Sequence, residues 1–142
     1  MIHKTSFTVY PDDCNYMKAD TGRAMVHGGK MLLKMDRAAA EAVKKALVKS
    51  DAETALTVKS EVHFHHGASL GDLIEFSCTI THVGVKSIEV LVTADRFNPD
   101  GTTQPMAEGI FRFCTMKQSF VGGHLMSCPH GLRLVNGEII RK

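Results

Sequence analysis

Tryptophan is absent, tyrosine occurs twice, and no basic tract is interleaved with aromatic residues. With a formal net charge of only +2 at pH 7, a general nucleic-acid surface is not expected, because phosphates are met by clustered cations. The four cysteines, Cys14, Cys78, Cys114 and Cys128, include no Cys-x-x-Cys pair, so neither a zinc ribbon nor a disulfide framework is indicated. Free cysteine in strand-like runs behaves as a small hydrophobe, which fits a reduced, cytoplasmic setting. No apolar run approaches the roughly 20 residues that span a bilayer, and MIHKTSFTVY has no apolar stretch behind its basic residue, so no secretory leader is expected. Low-complexity tracts, internal repeats, a glycine-rich phosphate loop and a serine-centred elbow are also missing. What remains is the composition of a soluble globular chain of 142 residues, enough for one domain with a proper core.

The most informative stretch is HGGKMLLKMD, His27 to Asp36. Its spacing predicts a helix from Gly28-Gly29 to about Lys49. At about 100° per residue, Met31, Met35, Ala38, Ala42 and Ala46 form one stripe, flanked by Leu32, Ala39, Val43 and Leu47. Lys34, Arg37, Glu41, Lys44 and Lys45 take the opposite arc. Asp36 breaks the pattern: it falls between Val43 and Leu47, where a bare carboxylate is costly. It is either a structural carboxylate paired across a contact or a site carboxylate, since chemistry is where proteins tolerate a badly placed charge.

Around this helix the pattern is that of strands. Thr5 to Tyr10 reads as a short strand stopped by Pro11, and residues 12–26 as a long irregular loop. After the helix the period becomes two. Leu56 to Phe64, Leu73 to His82, Lys86 to Phe97 and Met106 to Met116 are predicted strands, the last weakened by Gly109. Their short connections imply antiparallel neighbours. With one long helix available, the sheet must curl around it, an α+β arrangement whose free edges can pair with a second copy. Residues 117–142 change character and end in a predicted hairpin, Leu132 to Ile140, turning at Asn136-Gly137. The expectation is a single domain over 1–142, with a core of about 5–116 and a C-terminal extension.

Gly28-Gly29 at a helix start has a chemical use. Without Cβ atoms a ligand can approach the backbone, and first-turn N–H groups backed by the helix dipole suit a developing oxyanion. Alternatively, the pair only serves an unusual backbone angle. Asp36, eight residues on from Gly28, would add a general base or nucleophile on the same helix or on a helix facing it across an interface.

HGGKMLLKMD resembles the glycine-glycine to aspartate motif of hotdog-fold acyl-CoA thioesterases. The similarity continues through Leu56-Thr57-Val58, Phe64, Gly71-Asp72, Val83-Gly84-Val85-Lys86-Ser87-Ile88 and Phe111-Arg112-Phe113. It implies a long central helix wrapped by an antiparallel sheet, assembled as a homodimer or a dimer-based higher oligomer with active sites at the interface. It implies that Asp36 attacks the thioester carbonyl or activates water, that the Gly28 or Gly29 amide polarises the carbonyl, and that His27 helps to shape the site. It also implies that the loop from Gly84 to Ser87 lies near coenzyme A; beside it, Lys86, Ser87, Asn15 and one of His65 or His66 are candidate substrate contacts, and no cofactor is expected. Asn15 stands further ahead of the glycines than the family's asparagine, and His65-His66 replaces a common proline.

His63 and His65 share a strand face and, with His82, have a spacing that can hold a metal, but no second ligand pair accompanies them; no metal is expected. Cys14 lacks a histidine partner in sequence, and Cys128-Pro129-His130 reads as structural. A histidine-led hotdog dehydratase requires its histidine loop before the helix, and the order here is reversed. From another class, the rival is a non-catalytic acyl-CoA-binding module, which would bind the ligand without turnover.

Overall fold

The computed structural model describes residues 2–15, 24–119 and 122–142. Strand β1 (Ile2–Thr8) leads through a 3-10 turn (Pro11–Asp13) to a small ribbon, β2 (Cys14–Asn15) with β3 (Met25–Val26), and then to helix α1 (Gly28–Leu47). The strands β4 (Thr54–Phe64), β5 (Leu73–Val83), β6 (Ser87–Phe97) and β7 (Thr103–Gln118) follow, then β8 (Leu125–Ser127), β9 (Leu132–Val135) and β10 (Glu138–Arg141). No described helix is long and apolar enough to cross a membrane.

The sheet runs β1-β5-β6-β7-β4, antiparallel throughout, with β8 pairing to β7. Its inner face is built by the predicted alternation: Ile74, Phe76 and Cys78, then Ile88, Val90, Val92 and Ala94, then Phe111 and Phe113, all buried. Against it lies the predicted helical stripe of Met31, Met35, Ala38, Ala42 and Ala46. Four of the seven buried helix positions are alanine, so the helix axis can come close to the strands and the twisted sheet can wrap it. This is the hotdog arrangement. Gly109 does not interrupt β7: a Cβ there would lie 2.7 Å from Val62 Cγ2 and 3.1 Å from Glu61 O, so glycine permits the close approach of β4.

Several expectations need correction. β1 begins at Ile2 and ends at Thr8, because Tyr10 N–H leaves the ladder to donate to Asp13 Oδ2 at 3.0 Å. The predicted loop 12–26 is not wholly irregular, since the β2–β3 ribbon lies at its ends; its residues 16–23 are outside the described residues. β4 is not beside β5, although a short connection joins them. It sits at the opposite edge, beside β7. Its apolar alternation is also not buried: Leu56, Val58 and Phe64 are 43%, 59% and 52% exposed. Two causes act together. An edge strand has a neighbour on one side only, and a bulge between Thr57 and Lys59 breaks the register, which changes the face that each following side chain takes.

The C-terminal residues pack onto this unit. β9 contacts β5, Leu132 is fully buried, and Ile139 lies against the core. Asn136 and Gly137 both have positive φ, 50° and 79°, as the predicted two-residue turn requires.

Candidate active site

The start of α1 is held from two sides. His27 N–H donates to Asp13 O at 2.9 Å, and Val26 N–H donates to Ala68 O at 2.7 Å. The His27 side chain caps the helix, its Nδ1 accepting the Gly29 N–H at 2.9 Å, which satisfies one of the first-turn donors. The Gly28 N–H has no acceptor among the described residues. A cleft of about 250 Å³ opens there between Gly28, Met31 and the segment Phe64 to Ala68. His65 and His66 line it, their N–H groups donating to Met106 O at 2.8 and 3.1 Å. Asn15 pairs with Met25 in the ribbon, which brings it alongside the residues preceding the helix.

Asp36 is elsewhere. It is half-buried and its Oδ1 accepts the Thr57 Oγ1 hydrogen at 2.7 Å. The part of the apolar arc that contains Asp36 faces the seam between α1 and the edge strand β4, where Leu33, Leu56 and Val58 are exposed; the sealed core lies further round the helix. At a rise of about 1.5 Å per residue, Asp36 sits roughly 12 Å along the axis from Gly28. The register places the two at opposite ends of the sheet. Phe64, in the Gly28 cleft, pairs with Ala107 and through it Ala94, whereas Thr57 pairs with Phe113 and through it Ile88. The turn from Gly84 to Ser87 adjoins that second end, since Ser87 pairs with Cys114 and Cys114 with Leu56.

That turn is tightly built. Gly84 N–H donates to Ser87 O at 2.9 Å, and a Cβ on Gly84 would collide with Ser87 Oγ. Lys86 O accepts the Thr115 N–H at 2.8 Å, while the Lys86 side chain is exposed. Behind the turn is His130, fully buried. Its Nδ1 accepts the Leu132 N–H at 2.9 Å, so its Nε2 carries the hydrogen and donates to Ser87 O at 3.2 Å. Burial lowers the His130 pKa from its ordinary 6.5, opposed by the hydrogen bonds to the turn. The unfolded chain therefore takes up a proton at this residue before the folded one does. Stability is full above pH 6.5 and declines as pH falls below it. Urea midpoints measured at pH 7.5 and 5.5 are expected to fall less in His130→Gln, which cannot titrate there, than in the wild type.

Among the described residues no group of three His, Cys, Asp or Glu side chains is close enough to hold a metal ion. His65 Nε2 lies 3.5 Å from Glu108 Oε1, an ion pair when the imidazole is protonated. Burial pushes the Cys78 thiol up to about 12, and burial together with Asp13 raises Cys14, so neither thiol is an activated nucleophile. Thr57 and His130 are the residues whose contacts the sequence does not reveal. Each partner is distant in sequence, at Asp36 and at Ser87, and no local period links them.

The structure of a Staphylococcus aureus acyl-CoA hydrolase bound to butyryl coenzyme A, coenzyme A and coenzyme A disulfide superposes with a TM-score of 0.73, at 18% identity over 91% of this chain and 72% of that one. A hexameric acyl-CoA thioesterase gives 0.70, at 24% identity over 91% and 76%. The 4-hydroxybenzoyl CoA thioesterase of a Pseudomonas species also gives 0.70, at 15% identity over 90% and 92%. Among curated protein sequences no match is found. The sequence of residues 24–101, 78 of the 142, matches the family model of the thioesterase superfamily, and the chain belongs to that superfamily.

Proposed function

We propose that the protein hydrolyses acyl-CoA thioesters at sites shared by two copies of the chain, with Asp36 of one copy and the Gly28 amide of the other acting on the same carbonyl. The observation that carries this reading is the separation of the two groups. A reacting carbonyl must lie about 3 Å from both its base or nucleophile and its oxyanion donor, and within one chain they stand at opposite ends of the β4 seam. A second copy supplies what is missing. Antiparallel pairing of β4 with its counterpart about a two-fold axis brings the Thr57 end of one strand toward the Phe64 end of the other. The same pairing covers the exposed Leu56, Val58 and Phe64.

In this arrangement the Asp36 carboxylate, held by Thr57, either takes a proton from a water molecule whose oxygen attacks the thioester carbon, or attacks that carbon itself. The carbonyl oxygen becomes an oxyanion facing the Gly28 N–H and the positive end of the helix dipole. Collapse breaks the carbon–sulfur bond: on the water route the proton taken by Asp36 passes to the leaving thiolate, and on the covalent route the thiolate takes a proton from solvent and water then cleaves the Asp36–acyl anhydride, releasing the acid and restoring the carboxylate. His27 keeps the Gly29 N–H occupied and so orients the first turn. His65 and His66 border the acyl cleft, Asn15 approaches the substrate from the ribbon before the helix, and Gly84, Lys86 and Ser87 meet the coenzyme A portion, Lys86 as a cation for phosphate. The ligands named for the S. aureus and Pseudomonas proteins support coenzyme A as the thiol carrier.

Thiol release from a panel of short, long and aromatic acyl-CoAs tests the reading directly. Turnover supports it, and coenzyme A binding without turnover of any thioester would favour a ligand-binding module. Gly28 allows a cleaner separation of fold from function. A Cβ at this position meets nothing within 4 Å, and alanine is up to about 1 kcal/mol better than glycine in a helix. Gly28→Ala is therefore expected to leave Tm unchanged or raised while turnover falls, because the methyl group occupies the carbonyl's approach. Unchanged turnover would remove Gly28 from the site.

A further inference from the structure

We infer that His130 is a positioning residue for coenzyme A, acting from the C-terminal segment through the turn that carries Lys86 and Ser87. This role rests on the reading of that turn as the coenzyme A contact.

Three successive carbonyls of the turn are tied to groups behind it. Val85 O accepts the His130 N–H at 3.2 Å. Lys86 O accepts the Thr115 N–H at 2.8 Å and lies 3.2 Å from Thr115 Oγ1. Ser87 O accepts from His130 Nε2 at 3.2 Å, besides the Gly84 N–H. The C-terminal segment is anchored in turn: Thr115 Oγ1 donates to Cys128 O at 2.6 Å, and Cys128 N–H to Thr115 O at 3.0 Å. His130 O also accepts from Asp51 N–H at 3.1 Å and Ser50 Oγ at 2.9 Å, which ties the latch to the residues just after α1.

The choice of residue is informative. A plug with no other task could be aliphatic, since the surroundings include buried Cys128 and Leu132. An imidazole costs desolvation unless both nitrogens are bonded, and here both are. One nitrogen holds the C-terminal segment and the other holds the turn. With its carbonyls directed at this latch, the turn leaves Val85 and the Lys86 side chain in solvent. A cation on a fixed backbone loses less freedom on meeting phosphate than one on a loose loop.

The test compares wild type, His130→Phe and His130→Gln in the full chain. Coenzyme A affinity is measured by calorimetry, and kcat and KM are measured on an acyl-CoA and on the same acyl group carried by N-acetylcysteamine, which lacks the nucleotide. His130→Phe loses both ring bonds, and the loss of the one that holds the turn is expected to raise the Kd for coenzyme A and the KM for acyl-CoA by about tenfold. Its kcat and its reaction with the short thioester should stay near wild type. His130→Gln, which keeps a donor toward Ser87 O, should recover most of the loss. Unchanged coenzyme A affinity in folded His130→Phe, or an equal loss on both thioesters, would overturn the role. Should His130→Phe not fold, His130→Leu carries the same test by removing both ring nitrogens with a smaller apolar side chain: a KM raised for acyl-CoA but not for the short thioester supports the role, and an unchanged KM overturns it. Wild type that binds coenzyme A but cleaves no thioester would refute the proposed hydrolysis and leave this role to be decided by the Kd values. Wild type that does not bind coenzyme A would refute both.

Discussion

Asp36→Asn is expected to lower thioester turnover by about 10²- to 10⁴-fold, the usual worth of a positioned base or nucleophile, without unfolding the protein. Asparagine has nearly the same volume, and its amide oxygen can still accept from Thr57 Oγ1, which lies 2.7 Å from the carboxylate. The site is a half-buried seam, so the stability change should stay within about 0.5 kcal/mol. Turnover and Tm measured together separate loss of chemistry from loss of fold, and a variant that retains wild-type turnover would end the assignment. A mixing experiment tests the shared site. Asp36→Asn still presents Gly28, and Gly28→Val still presents Asp36. If one site draws on both copies, two inactive homodimers exchanged at equal concentration should recover about a quarter of wild-type activity, because half the dimers are mixed and each contains one intact site. No recovery after verified exchange would place both groups in one chain.

Val58→Asp is expected to yield a folded monomer with turnover reduced by about 10² or more. Val58 is 59% exposed in the single chain and lies at the bulge of β4, so a carboxylate there costs the monomer little. In a dimer it is different. Each copy would bring a charge into an interface otherwise formed by Leu56, Phe64 and the paired edges, and desolvating an unpaired carboxylate costs several kcal/mol. Sedimentation velocity reads the assembly, circular dichroism the fold, and thiol release the activity. A dimer that persists at wild-type affinity would show that β4 is not the contact. A monomer with full activity would show that one copy suffices.

Both results depend on features that local sequence does not encode. Much of the fold, by contrast, is local. The 3.6-residue stripe from Met31 to Ala46 and the two-residue alternation in Ile74 to Cys78 and Ile88 to Ala94 state which face is buried, because a side chain's direction follows from its position along its own element. Asn136-Gly137 specifies its turn through backbone angles that few other residues adopt. Gly28-Gly29 and Asp36 are legible as candidates for the same reason: one stands at a helix start and the other interrupts an apolar arc.

Helical periodicity does not say what the arc meets. It groups Asp36 with Val43 and Leu47, yet only the placement of β4 beside β7 makes that flank an open seam instead of a sealed core. Strand alternation likewise predicts a buried face for Leu56 and Phe64, and an edge position with a bulge leaves them exposed. The bonds between Thr57 and Asp36 and between His130 and Ser87 join residues 21 and 43 positions apart. The helix, most of the strands, and Gly28-Gly29 and Asp36 as candidates can be read from local pattern, because these follow from nearest-neighbour geometry. Only tertiary packing sets Asp36 apart from Gly28 within one chain and fixes what holds the turn from Gly84 to Ser87, because both depend on how distant segments close on one another.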